Sequence, residues 1–174
     1  MNNKEGMLLM DSKLFGLSGQ NGFYGSLSSG NDVYYFDTNK DNTEAMDTLL
    51  ASAKGKTGWK HRIFLGYRES CDLFYDLSDR HGNIFTAAVL VEGRVDVEKI
   101  QGMYPKTRMV FCMNRAARSQ IVGSGKNYMV YNLKSRIPLN YSRRAAQEAS
   151  GVLLYGYYGK TYQDEVETGR TVSL

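Results

Sequence analysis

Apolar positions along this chain come in short runs separated by turn-forming residues, and one stretch has clear helical spacing. After an apolar run at 7–10, the segment 16–30 (GLSGQNGFYGSLSSG) holds five glycines and four serines, a composition that favours turns. Phe23, Tyr24 and Leu27 interrupt it, so the loop is expected to tuck side chains against the body of the protein. A short strand is predicted over 33–36. A helix follows over 42–54, because Asp41 and Glu44 have capping-box spacing and Ala45, Met46, Leu49, Leu50 and Ala53 recur on one face before Gly55.

Beyond that helix the pattern reads as strands. The runs 61–67, 71–77 and 83–91 are joined by short polar stretches, the second being DRHGN, which suggests an antiparallel meander. A short helix is predicted from Asp96, its N-cap, to Met103, stopped by Pro105. The segment 108–113 is continuously apolar at its centre, as expected of a strand buried on both faces. A strand over 128–133, a helix over 142–150 and a strand pair at 152–158 and 170–174 complete the pattern. The expected fold class is α+β: one domain over 1–174, with a mixed or largely antiparallel sheet, two to three short helices and a Gly/Ser-rich, loop-rich segment at 1–32.

Length and composition agree with such a domain. At 174 residues, 42% hydrophobic and 23% charged, the chain has enough apolar content for a core and lacks the signature of disorder. No apolar run approaches the roughly 20 residues of a membrane span, and residues 1–10 do not read as a secretory signal. Cys71 and Cys112 each sit in an apolar stretch, where a reduced cysteine behaves as a small hydrophobe, so a cytoplasmic setting is expected. Two histidines and no CxxC leave too few soft ligands for structural zinc. No metal or cofactor is expected.

Charge changes the picture more than composition does. The formal net charge is +4, yet residues 99–147 carry ten basic residues and no acidic one, while the rest of the chain carries twelve basic against eighteen acidic residues. Such a block concentrates anions and binds polyanions through counterion release. The candidate anion-binding residues are Lys106, Arg108, Arg115, Arg118, Lys126, Lys134, Arg136, Arg143 and Arg144, with Tyr128 among the tyrosines interleaved with them as on surfaces that stack bases. Arg143 and Arg144 fall in the first turn of the predicted helix 142–150, where a bound phosphate offsets their unfavourable interaction with the helix dipole and Ser142 adds a hydroxyl.

Motifs of catalysis are weak. VGSGK, ending at Lys126, resembles the end of a phosphate-binding P-loop, but Gln120 stands where that loop requires glycine. Asp72 and Asp76, four apart in an acidic stretch, are the best carboxylate pair for a metal-assisted hydrolase or nuclease. The leading expectation is a non-enzymatic protein that binds nucleic acid or another polyanion, with an accessory protein of a virus or mobile element as one such setting. A protein-interaction module, such as an inhibitor or assembly component, is the alternative, and no membrane partner is expected.

Overall fold

The computed structural model describes residues 6–13, 31–54, 59–104, 106–113, 128–132 and 171–173. Among them are seven strands: β1 (Gly6–Asp11), β2 (Asn31–Phe36), β3 (His61–Tyr67), β4 (Ala87–Val91), β5 (Arg108–Met113), β6 (Tyr128–Asn132) and β7 (Thr171–Ser173). Three α-helices lie between them: α1 (Thr43–Lys54), α2 (Cys71–His81) and α3 (Val97–Gly102). All strands join one sheet in the order β6-β5-β4-β3-β1-β2-β7, and every pairing is parallel.

This overturns the expected α+β fold with a mixed or antiparallel sheet. The structure is α/β, and the reason lies in the segment read as the second strand of a meander. Residues 71–77 are helical, and the helix carries the chain from one end of β3 back to the start of β4, so that the two strands run parallel. DRHGN, read as a hairpin turn, is the end of that helix. Gly82 takes the left-handed conformation (φ 65°, ψ 57°) that ends a helix at little cost to glycine. The predicted partner of 170–174, the strand 152–158, lies outside the described residues, as does the helix 142–150; β7 instead pairs parallel with β2.

Parallel strands are covered on both faces and therefore lack the clean alternation of a half-solvated sheet. Every residue of β1 and β4 is buried. On one face stand Met7, Leu9, Tyr34, Phe36, Phe64, Ala88, Leu90, Met109 and Phe111, and the buried residues of α1, α2 and α3 join them in a single core. Leu8, Met10, Val33, Ile63, Leu65 and Val89 are equally buried on the other face. The centre of the core is aromatic. Phe74 of α2 sits 5.9 Å from Phe64, 5.3 Å from Tyr75 and 5.7 Å from both Phe85 and Tyr104, ring centroid to ring centroid.

Polar pairs tie the helices to one another. Asp47 of α1 receives Arg80 at 2.5 Å and His81 at 2.6 Å from the end of α2, and the hydrogen bond with His81 holds its carboxyl below the usual range. Asp79 of α2 accepts from Lys99 of α3 at 2.5 Å and from the Tyr104 hydroxyl. Asp96 caps α3 by accepting from the Lys99 amide at 3.0 Å.

The helices of the connections β2 to β3, β3 to β4 and β4 to β5 all pack on one face, as the right-handed rule requires when those three connections advance across the sheet in one direction. The connection from β1 to β2 runs the other way. The order 2-1-3-4-5 within this sheet therefore places a topological switch point between β1 and β3. In sheets of this kind ligands bind in the crevice outside the carboxyl ends of the strands at that point.

Candidate functional site

β1 ends on Asp11 after four consecutive apolar residues. Its partner in register is Phe36 of β2, and it follows Leu9 by two residues, so its side chain leaves the sheet on the helix-bearing face. Asp11 is fully buried. One carboxylate oxygen accepts from the Lys13 amide at 2.9 Å, and the other, also buried, has no hydrogen-bond partner among the described residues. A buried carboxylate oxygen left in that state is costly, which marks this position as one kept for a reason other than packing.

Around it the neighbouring strands also hand over to charged residues. Asp37 follows β2 and makes an Asx turn, accepting from the Asn39 amide at 2.9 Å. Asp41 accepts from the Thr43 amide at 3.1 Å at the start of α1, and that bond draws its carboxyl below the usual range. Glu69 follows β3 in a short 3₁₀ turn (Arg68–Ser70), and its carboxylate meets the Lys13 ammonium at 3.0 Å. Backbone hydrogen bonding and then Lys13 lower the Glu69 carboxyl, and the same contact raises Lys13. Phe36, Asp37, Thr38, Asp41, Glu69 and Leu73 belong to the walls of an open cleft of about 250 Å³.

The edge continues onto β4 through two residues held in the left-handed region. Arg68 after β3 and Glu92 after β4 both have φ 51° and are bound to each other at 3.1 Å. Non-glycine residues adopt that conformation at a cost, and such residues gather at functional sites. Gly93 comes next. A Cβ there would lie 2.3 Å from both Cβ and Sγ of Cys71, so only glycine lets the end of β4 close on the first turn of α2.

No protein-family model, curated protein or solved structure matches this chain. The site therefore rests on geometry and chemistry.

The residues singled out from sequence lie elsewhere. Asp72 and Asp76 are exposed on α2, where Arg94 meets Asp72 at 2.9 Å and Arg80 meets Asp76 at 2.9 Å. Among the described residues no three His, Cys, Asp or Glu side chains converge on a metal position. Lys106 and Arg108 are exposed at the amino end of β5, the opposite edge of the sheet from the cleft. Tyr128 opens β6. Arg115, Arg118, Lys126, Lys134, Arg136, Ser142, Arg143 and Arg144 lie outside the described residues. Sequence reasoning misses Asp11 and Asp37, while Glu69 belongs to the acidic stretch that it singles out around Asp72 and Asp76. The available signal is a lone carboxylate closing an otherwise apolar strand, and it acquires meaning only once β1 is known to be central and parallel. No helix among the described residues is long and apolar enough to cross a membrane.

Proposed function

We propose that this protein binds a small ligand rich in hydroxyl or amine groups in the cleft at the carboxyl ends of β1, β2 and β3. The observation that carries the reading is the open cleft lined by Asp37, Asp41 and Glu69 beside the switch point of a parallel sheet, with the fully buried carboxylate of Asp11 closing the adjacent strand β1. Asp37, Asp41 and Glu69 offer acceptors to ligand hydroxyls or ammonium groups, while Phe36, Met46 and Leu73 offer an apolar wall. Nucleosides and monosaccharides have this chemistry and suit the volume. A cytoplasmic, reducing setting belongs to the same reading, since Cys71 is buried in the apolar core, where a reduced cysteine behaves as a small hydrophobe.

Thermal unfolding in the presence of nucleosides, monosaccharides and small amines tests it. A member of the panel is expected to raise the midpoint of the native protein, and Asp37→Asn with Glu69→Gln is expected to weaken that ligand at least about tenfold, since hydrogen bonds to charged groups contribute roughly 1.5–3 kcal/mol each. A panel without effect, or a ligand indifferent to the double variant, removes the cleft as the site.

The charge segregation of the sequence supports a second reading, in which residues 99–147 bind nucleic acid or another polyanion without catalysis. Within that block, Lys106 and Arg108 stand exposed at the amino end of β5, away from the cleft. Binding of labelled DNA and RNA is then expected to weaken steeply with salt and on changing Arg143 and Arg144 to alanine. Absence of binding at low salt contradicts it and favours a protein partner, as for an inhibitor or assembly component.

A further inference from the structure

The cleft accounts for the acidic, carboxyl end of the sheet and leaves the amino end without a role. The carboxylates near that amino end are engaged: Asp47 holds Arg80 and His81, Asp79 holds Lys99 and the Tyr104 hydroxyl, and Asp32 accepts from the Trp59 indole at 3.1 Å. Lys54, Arg62 and Lys106 stand at the same end, and none of the three pairs with a carboxylate among the described residues. Lys54, in the last turn of α1, brings its ammonium to 3.7 Å from where a Gly82 Cβ would stand. Arg62 of β3 donates from Nε to the Ile84 carbonyl at 2.6 Å and from Nη1 to the Trp59 carbonyl at 2.9 Å, which fixes the guanidinium and leaves Nη2 without a partner among the described residues. Lys106 is exposed in the turn before β5, and the hydroxyl of the next residue, Thr107, meets the Asn83 side chain at 2.8 Å and the Phe85 carbonyl at 2.7 Å. Residues 82–85 thus link the segments that carry the three cations. A helix dipole accounts for Lys54 at the end of α1, but not for Arg62 on a strand or Lys106 in a turn.

We infer that the amino end of the sheet is a docking surface for a nucleic-acid phosphate backbone, with Lys54, Arg62 and Lys106 as its phosphate contacts. The inference rests on the polyanion reading and locates it: Lys54 and Arg62 come from outside the block 99–147, so the surface is made by the fold and not by the charge run alone. The Thr86 amide donates to the Arg62 carbonyl at 2.8 Å, and the Arg108 amide donates to the Thr86 carbonyl at 3.0 Å. Arg62 therefore stands two strands from the segment that carries Lys106 and Arg108, a span of roughly 10 Å at about 4.8 Å per strand. A nucleic-acid strand in a duplex carries one charge per about 3.4 Å of axis, so this span meets about three phosphates. A planar guanidinium already fixed on two carbonyls loses little freedom on taking one of them.

Labelled single- and double-stranded oligonucleotides, titrated with the full chain across a salt series, test this. The logarithm of native affinity is expected to fall linearly with the logarithm of salt concentration. Lys54→Gln combined with Lys106→Gln is expected to make that slope shallower by about two and to weaken all sequences alike, since each lost phosphate contact removes about one. Both side chains are exposed, so the double variant is expected to keep the native unfolding midpoint. Arg94→Gln removes a positive charge that Asp72 holds, and as the control it keeps the native slope. If the double variant fails to fold, acetylation of the native protein decides instead, with bound oligonucleotide expected to protect Lys54 and Lys106. A folded double variant with the native slope, or acetylation that the oligonucleotide leaves unchanged at both lysines, overturns the inference; a shallower slope on changing Arg143 and Arg144 would then keep the polyanion reading with its surface elsewhere. Absence of native binding at low salt overturns both. Displacement by polyglutamate as readily as by unlabelled oligonucleotide overturns the nucleic-acid assignment in favour of an acidic protein partner.

Discussion

Phe74→Ala is expected to lower the free energy of unfolding by about 3–5 kcal/mol, the range for truncating a buried phenylalanine. Phe74 is wholly buried and packs on Phe64, Tyr75, Phe85 and Tyr104. It thus joins α2 to β3, to the start of β4 and to the end of α3 through one side chain. Truncation leaves a cavity walled by rings that are themselves fixed: Tyr75 donates to the Arg94 carbonyl at 2.8 Å, and Tyr104 is bound to Asp79. Burial pushes the Tyr75 hydroxyl up to about 12, so it stays a neutral donor at ordinary pH. Little collapse can fill the space. Urea denaturation with an unchanged slope checks the value, and Leu73→Ala, on the partly buried side of the same helix, is expected to have a distinctly smaller effect. Equal effects at the two positions would contradict the packing described.

Gly93→Ala is expected to cost about 1–3 kcal/mol through overpacking rather than through loss of contact. The added methyl would meet Cys71 Cβ and Sγ at 2.3 Å and the Arg68 carbonyl at 3.3 Å. Cys71 cannot easily yield, since it is buried at the start of α2 with its thiol 3.7 Å from the Val91 carbonyl. The close approach predicts coupling: Cys71→Gly in the Gly93→Ala background should be less harmful than the two separate losses combined. Strict additivity in a double-mutant cycle would place the strain elsewhere. The effect matters for the site because Arg68, Cys71, Glu92 and Gly93 are the junction that sets the carboxyl ends of β3 and β4 beside the cleft.

Segments are more legible in the sequence than their pairing. The helix beginning near Asp41 and the one capped by Asp96 are written in local signals, a capping carboxylate and a one-sided apolar stripe, and such signals do not depend on the rest of the fold. CDLFYDLSDRH is ambiguous. Cys71, Leu73, Tyr75 and Leu77 alternate with polar positions as a strand would, while Cys71, Phe74, Tyr75 and Ser78 follow helical spacing and are buried. Phe74 alone breaks the alternation, and it is the residue at the core's centre. Reading this segment as a strand turns its neighbours into an antiparallel meander and removes the crossover. The fully apolar runs of β1 and β4 are the counter-signal, since a sheet with one solvated face alternates.

The site is less legible still. Asp11 stands one residue past the apolar run 7–10, in sequence an ordinary end to a strand. Its significance comes from three-dimensional facts: the register with Phe36, complete burial, and the reversal of strand order beside it. Charge segregation, by contrast, is visible in sequence alone, but sequence does not say which residues share a surface.

Amide hydrogen exchange of the native protein, with and without whichever small molecule raises its unfolding midpoint, tests the central claim most directly. Slowed exchange concentrated at 11–13, 37–43 and 68–71 is the result predicted for a ligand site at the switch point of the parallel sheet. Slowed exchange confined to 99–147, with the carboxyl edge unchanged, would contradict it and assign function to the basic segment.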